Sequence, residues 1–84
     1  MKELLYYLTE NLVADDSAIN IAESERDYGD GTPETLYQLR VAPADMGKVI
    51  GKQGRTAKDI RILVRAVAAR EGKRVSIDIL DEDE

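Results

Sequence analysis

The sequence predicts an α+β domain in which one three-stranded mixed sheet is covered by helices on one face. Two stretches, 2–13 and 54–71, space their aliphatic residues at intervals of three and four, as an amphipathic helix does. Two others, 36–41 and 75–79, alternate apolar and polar residues, as a half-buried strand does. We therefore expect helices and strands that share one core.

The first half of the chain predicts a helix followed by a β-hairpin. Four leucines give the helix over 2–13 its apolar side, and the DDS run at 15–17 ends it. Residues 19–22 alternate as a strand does before the charged ESERD run at 23–27. The YGDGTPE segment at 28–34 concentrates Gly, Asp and Pro, which predicts the turn between the two arms.

The second arm of the hairpin leads into a short helix. Alternation over 36–41 predicts the strand, and Pro43 ends it. Asp45 has the chemistry of an N-cap, so we expect a short helix over 46–50. Gly51 then interrupts that helix.

A long helix and a last strand complete the predicted domain. The helical pattern over 54–71 ends at Gly72, which suits the residue just past a helix C-terminus. The strand over 75–79 follows. The predicted order is therefore α-β-β-α-α-β in a single domain over 1–80, and 81–84 is an acidic tail.

Composition excludes several classes of function. The 84 residues contain no Cys and no His, which removes thiol nucleophiles, imidazole bases, disulfides and the usual zinc ligands. We therefore predict no catalytic residues, no metal site and no cofactor. The N-terminus has no signal-peptide pattern and no apolar run is long enough for a membrane helix, so we expect a cytoplasmic protein. Four tyrosines are the only aromatic residues, which predicts an aliphatic core.

The charges are divided between two parts of the chain. Residues 40–74 hold ten Lys and Arg against three Asp and Glu, a net charge of +7. The remainder holds two basic residues against 14 acidic ones, so the formal total of −5 conceals a basic region. Because salt screens charges beyond about 8 Å, that region can act locally on an anionic partner.

The GKQG segment at 51–54 lies at the centre of the basic region. It is not a P-loop, because Gly47 and Gly51 have three residues between them and Gln53 stands where the motif needs Ser or Thr. Glycines at both ends let another backbone approach closely, and the N-terminus of the following helix is positively polarised. The segment therefore predicts a site for a phosphate group.

The long helix carries a basic face beside an apolar one. Lys58, Arg61 and Arg65 are spaced to lie together. The stripe expected to pack on the sheet is Ile60, Leu63, Val64 and Val67. A tight turn between helices and a solvated basic face would produce the same pattern, so the residues alone leave phosphate binding and this simpler interpretation both open.

The segment VIGKQGRTAKDIR at 49–61 resembles the signature of a KH domain, and the preceding α-β-β order resembles the bacterial type II arrangement. The resemblance implies that the GXXG loop clamps the backbone of about four nucleotides of single-stranded RNA. Ile50, Ala57 and Ile60 would be apolar groove or core positions. Ala57 is smaller than its counterpart in many KH domains and no aromatic residue lies near the loop, so we expect binding directed at the backbone. The predicted RNA-binding residues are Lys48, Ile50, Gly51, Lys52, Gln53, Gly54, Arg55, Lys58 and Arg61.

A second surface is predicted on the long helix, where Ile62, Ala66 and Ala69 share a side away from Val64. These residues could pack on the first helix or form a subunit interface. The resemblance implies the interface, in a homodimer or in a heterodimer with a Jag-type KH protein. The function expected is that of a non-catalytic RNA chaperone or post-transcriptional regulator. The alternative is a protein-interaction adaptor with a KH fold and incidental RNA binding.

Overall fold

A computed structural model describes residues 1–27, 29, 31 and 33–80 of the chain. The predicted acidic tail at 81–84 lies outside the described residues, as do positions 28, 30 and 32 of the predicted turn. The helices are α1 (Lys2–Glu10), α2 (Met46–Ile50) and α3 (Arg55–Arg70), and the strands are β1 (Asn20–Asp27), β2 (Pro33–Arg40) and β3 (Arg74–Ile79).

The three strands form one mixed sheet with β2 at its centre. β1 pairs antiparallel with β2, from Asn20 opposite Arg40 to Asp27 opposite Pro33. β3 pairs parallel with the other side of β2, and Tyr37 lies opposite Ile77. The α-β-β-α-α-β order and the mixed sheet confirm the predicted fold class.

β1 is longer than the alternating segment 19–22 predicted, because it includes the charged ESERD run. It is an edge strand, and all of its residues except Ile21 are exposed. Charged side chains are therefore tolerated along it, and they also discourage pairing with another sheet edge.

α1 is shorter than predicted and α3 has nearly the predicted length. α1 ends at Glu10, and the side-chain amide of Asn11 donates to the carbonyl of Tyr7 at 2.7 Å, which satisfies one of the free carbonyls of the last turn. At the end of α3, Gly72 has a φ of +70°. The N–H of Gly72 donates to the carbonyl of Ala69 at 3.0 Å, and the N–H of Lys73 donates to the carbonyl of Ala68 at 2.9 Å. This pair of hydrogen bonds is a Schellman motif.

The core lies between the sheet and the helices. Leu5 of α1, Leu39 of β2 and Val64 of α3 are completely buried in it. Tyr37 is only 5% exposed, so the expectation of a purely aliphatic core was wrong at this position. Burial, followed by the nearby carboxylates of Glu23 and Glu3, raises the pKa of the Tyr37 hydroxyl.

Candidate nucleic-acid interface

The GKQG loop has a backbone that ordinary residues rarely adopt. Gly51 has φ and ψ of 76° and 178°, a combination that is open essentially to glycine alone. Gln53 is left-handed with a φ of 57°, and Gly54 is left-handed with a φ of 75°. Three of four consecutive residues therefore have positive φ, and the chain turns sharply between α2 and α3.

Packing against Thr56 also requires glycine at position 51. A Cβ built on it would lie 2.6 Å from Cβ of Thr56 and 2.9 Å from the Thr56 backbone nitrogen. Gly54 differs, because a Cβ there would have no atom within 4 Å. The first glycine of the loop is therefore fixed by both conformation and packing, and the second by conformation alone.

The loop leads directly into the N-terminus of α3. Gly54 occupies the N-cap position and no side chain caps the helix. The backbone N–H at Arg55 donates to the carbonyl of Lys52. No capping side chain competes with an anion for the other N–H groups of the first turn, and the positive end of the helix dipole favours an anion there. Lys52, Gln53 and Arg55 are exposed around this position. Among the predicted RNA-binding residues, the structure brings together three donor side chains, Lys52, Gln53 and Arg55, at a helix terminus suited to phosphate.

One flank of α3 is cationic, as its spacing predicted. Arg61 is partly buried, and its Nε donates to the carbonyl of Ile77 at 3.1 Å, which fixes the guanidinium against β3. Lys58 and Arg65 are exposed on the same flank, and neither forms an ion pair with another described residue. The flank of α3 that lies beside β3 therefore carries positive charge from the loop to Arg65.

Lys48 was predicted to bind RNA, but in this structure its Nζ lies 3.1 Å from Oδ1 of Asp45. Asp45 is 2% exposed, and its carboxylate accepts the backbone N–H groups of Ala14 at 3.2 Å and Asp15 at 3.0 Å. These backbone hydrogen bonds, and then the ion pair, lower the pKa of Asp45. Lys48 remains half exposed, so it neutralises Asp45 and could still contact a ligand at the rim.

The predicted position of Asp45 at the N-cap of α2 is confirmed, but its side chain does not act as a cap, since it makes no capping hydrogen bond. It is instead directed to the backbone that joins α1 to β1, at Ala14 and Asp15. This contact, 30 residues away in sequence, ties the start of α2 to the rest of the domain. A local pattern gives no signal for a partner so distant.

The apolar residues around the loop separate into exposed and buried positions. Ile50 is 39% exposed next to Gly51, so it is available to a ligand. Ala57 and Ile60 are each 5% exposed. Ala57 belongs to the interior, and Ile60 is a core residue that also borders the hollow between α1 and α3. The expected core stripe also needs correction, since Leu63 is 45% exposed. The buried side of α3 consists of Ala57, Ile60, Val64 and Ala68.

The predicted partner surface is exposed. Ile62 is 56% exposed, and Ala66 and Ala69 are exposed beside it. The interpretation that these residues pack on α1 is therefore wrong, because α1 lies toward another side of α3. On that side, α1 and α3 border an apolar hollow of about 420 Å³, which the sequence did not predict. The residues that line it are Tyr7, Leu8, Asn11, Leu12, Thr56, Asp59, Ile60 and Leu63.

The described part of the chain contains neither a cluster of metal ligands nor a membrane-spanning helix. No group of three or more His, Cys, Asp or Glu residues is placed to hold a metal ion. No helix among the described residues has both the length and the apolar character that crossing a bilayer requires.

The fold and the loop together define the class of protein. A mixed sheet with β2 parallel to β3, covered by helices, and a GXXG loop between two of those helices are the features of a type II KH domain. The profile of the KhpA/KhpB KH domain matches residues 2–79. The chain therefore belongs to the KhpA/KhpB family of KH domains.

Relatives of nearly the same length support this assignment. The chain is 43% identical to the RNA-binding protein KhpA of Chlamydia trachomatis over 82 residues, which cover 98% of this chain and 99% of that protein. It is 42% identical to the RNA-binding protein KhpA of Clostridium acetobutylicum over 80 residues, covering 95% of this chain and all of that one.

The similarity to solved structures concerns the fold. A structure of Era in complex with MgGDPNP and nucleotides 1506–1542 of 16S ribosomal RNA superposes with a TM-score of 0.65 at 19% identity. A structure of Aquifex aeolicus Era bound to GDP and aluminium fluoride superposes with a TM-score of 0.64, also at 19% identity. In both cases 92% of this chain is covered, but the chain spans only 28% of the Era chain.

Proposed function

We propose that this chain is a non-catalytic, cytoplasmic protein that binds single-stranded RNA and clamps its sugar-phosphate backbone with the loop Gly51–Gly54. It acts as a homodimer or with a second KH protein of the Jag type, as an RNA chaperone or post-transcriptional regulator. The observation that carries the proposal is the glycine-bounded loop at the uncapped N-terminus of α3. The relatives named RNA-binding protein KhpA point to the same ligand.

The loop is suited to phosphate in three ways. Gly54 leaves no side chain on its open side, so a ligand can approach the backbone there. The N–H groups of the first turn of α3 point toward the loop and favour negative charge. Lys52 adds a mobile ammonium group, and Gln53 adds an amide that can donate to a phosphate or sugar oxygen. None of these contacts distinguishes one base from another, so we expect weak sequence preference.

The experiment is a titration of labelled single-stranded RNA, followed by fluorescence anisotropy. The variant Lys52→Asp/Gln53→Asp should lower the affinity at least about tenfold, because it replaces two donors with two carboxylates at the phosphate position. Both side chains are exposed, so the variant should keep the circular dichroism spectrum of the parent.

A matched control separates the site from overall charge. Lys2→Asp/Ser24→Asp makes the same change in net charge at two exposed positions on α1 and β1. It should alter RNA affinity by less than about twofold, because surface charges beyond a Debye length are screened. Equal losses in the loop variant and the control would contradict the clamp.

A second function, that of a protein-interaction adaptor, is favoured by the exposed aliphatic surface of α3. Ile62 is more than half exposed between Ala66 and the loop, and small neighbours let another helix approach. Ile62→Asp should reduce self-association in analytical ultracentrifugation and leave the RNA affinity of the monomer unchanged. If binding of a protein partner, and not of RNA, depends on Lys52 and Gln53, the adaptor function replaces the first proposal.

A further inference from the structure

A basic hollow, distinct from the apolar one between α1 and α3, lies beside β3, one helical turn beyond Arg61. It has a volume of about 310 Å³ and is bordered by one residue of α3, one of β2, one of the turn after α3 and the first three of β3. Because β3 runs back antiparallel to α3 after the turn at Gly72, Arg65 faces the beginning of the strand. The residues that line the hollow are Glu34, Arg65, Lys73, Arg74, Val75 and Ser76.

The charges in this hollow favour an anion. It contains two guanidinium groups and one ammonium group against the single carboxylate of Glu34. That carboxylate accepts a hydrogen bond from Oγ of Ser76 at 2.7 Å, which holds it on the sheet. Lys73 has a weak ion pair, since its Nζ lies 4.0 Å from Glu71 and both side chains are at least half exposed. Arg65 has no ion pair among the described residues.

The hollow lies on the same cationic flank of α3 that begins at the loop. Lys58 and Arg61 lie between the two, so positive side chains recur at each turn of the helix from Gly54 to Arg65. The rise over those residues is about 16 Å. The basic region of the sequence also ends here, at Arg74.

We propose that an RNA strand clamped at the loop continues along this flank, and that Arg65 and Lys73 form a second subsite for one or two of its phosphates. The inference rests on the proposed function and specifies the length of RNA that the protein engages. At about 3.4 Å per stacked nucleotide, the 16 Å interval takes up to about five nucleotides beyond the loop. The lining contains no aromatic residue on which a base could stack, so the subsite recognises phosphate.

The test compares RNA of about four nucleotides with RNA of about ten, in the range of sites on single-strand binding proteins. The intact protein should bind the longer RNA at least about tenfold more tightly. Its salt dependence should be steeper by about 1.4, which is the slope expected for two further phosphates. Arg65→Gln/Lys73→Gln should remove most of that advantage and leave binding of the short RNA unchanged.

Arg70→Gln/Lys2→Gln is the control, because it removes the same charge from two exposed positions away from the hollow. Amide chemical shifts locate each contact. The short RNA should shift the signals of Lys52 and Gln53, and the longer RNA should also shift those of Arg65 and Ser76.

Each other outcome decides against the subsite in a different way. Equal affinity for both RNAs, or equal losses in the variant and its control, overturns the subsite and leaves the clamp intact. Failure of the short RNA to shift the loop signals overturns the proposed function itself. If Arg65→Gln/Lys73→Gln changes self-association and not the preference for long RNA, the hollow receives an acidic protein segment.

Discussion

At the scale of single residues, Gly51 and Gly54 differ more than the symmetry of the GXXG pattern implies. Gly51 combines a backbone that glycine alone tolerates with direct contact to Thr56. Gly54 is left-handed but faces open space. A change at the first glycine must move the start of α3, whereas a change at the second only adds local strain.

We therefore predict that Gly51→Ala costs more stability than Gly54→Ala. Gly54→Ala should lower the free energy of unfolding by about 1 kcal/mol, the cost of a left-handed alanine. Gly51→Ala should cost at least about 3 kcal/mol, because backbone strain and a clash with Thr56 add together. Urea unfolding followed by circular dichroism measures both. Equal costs would show that the loop backbone differs from the one described.

Asp45 makes the free energy of unfolding depend on pH in the acid range. Its pKa is lowered in the fold by the N–H groups of Ala14 and Asp15 and by Lys48, so folding favours the ionised carboxylate. That contribution is complete above the ordinary pKa of 3.8 and is lost as the pH falls below it, through the lowered value of the folded state. Asp45→Asn should therefore be less stable than the parent near pH 7, with the difference closing in acid.

The measurement for Asp45 is urea unfolding at a series of pH values. Asp16→Asn changes an exposed carboxylate and serves as the control, which should follow the parent at every pH. A difference between Asp45→Asn and the parent that stays constant down to the acid end would contradict a role for the ionised carboxylate.

At the scale of elements, α3 separates the core from the surface within a single turn. Ile60 is 5% exposed and Ile62 is 56% exposed, although both are isoleucines two positions apart. Ile60→Ala should cost about 3 kcal/mol of unfolding free energy, as for other large-to-small changes in a core. Ile62→Ala should cost less than about 0.5 kcal/mol, as surface changes do. Similar costs would mean that Ile62 is covered within the monomer.

Sequence periodicity predicted α3 and its end at Gly72 to within a residue, because a long amphipathic repeat and a glycine C-terminus are strong local signals. Periodicity assigned Leu63 to the core wrongly, because the apolar stripe of a helix does not show which of its residues the sheet covers. It missed the role of Asp45, whose partners at 14 and 15 are remote in sequence. The position of the loop between two helices could be predicted, but the positive φ of Gln53 could not.

At the scale of the whole molecule, the division of charge determines where the RNA of the proposed function can approach. The net charge of −5 repels a polyanion on average, and the +7 of residues 40–74 provides a local attraction. The loop, the flank of α3 and the three basic residues of the hollow at Arg65 belong to that stretch. The acidic β1 is at the opposite edge of the sheet from β3, so it should help to confine RNA to the basic side.

The most direct test of phosphate clamping is the salt dependence of affinity for single-stranded RNA of about four nucleotides. Each neutralised phosphate contributes about 0.7 to the slope of log K against log salt, so three or four contacts predict a slope between about −2 and −3. Lys52→Asp/Gln53→Asp should flatten that slope together with the affinity. A slope near zero, or one unchanged in this variant, would contradict the assignment of the loop as the phosphate site.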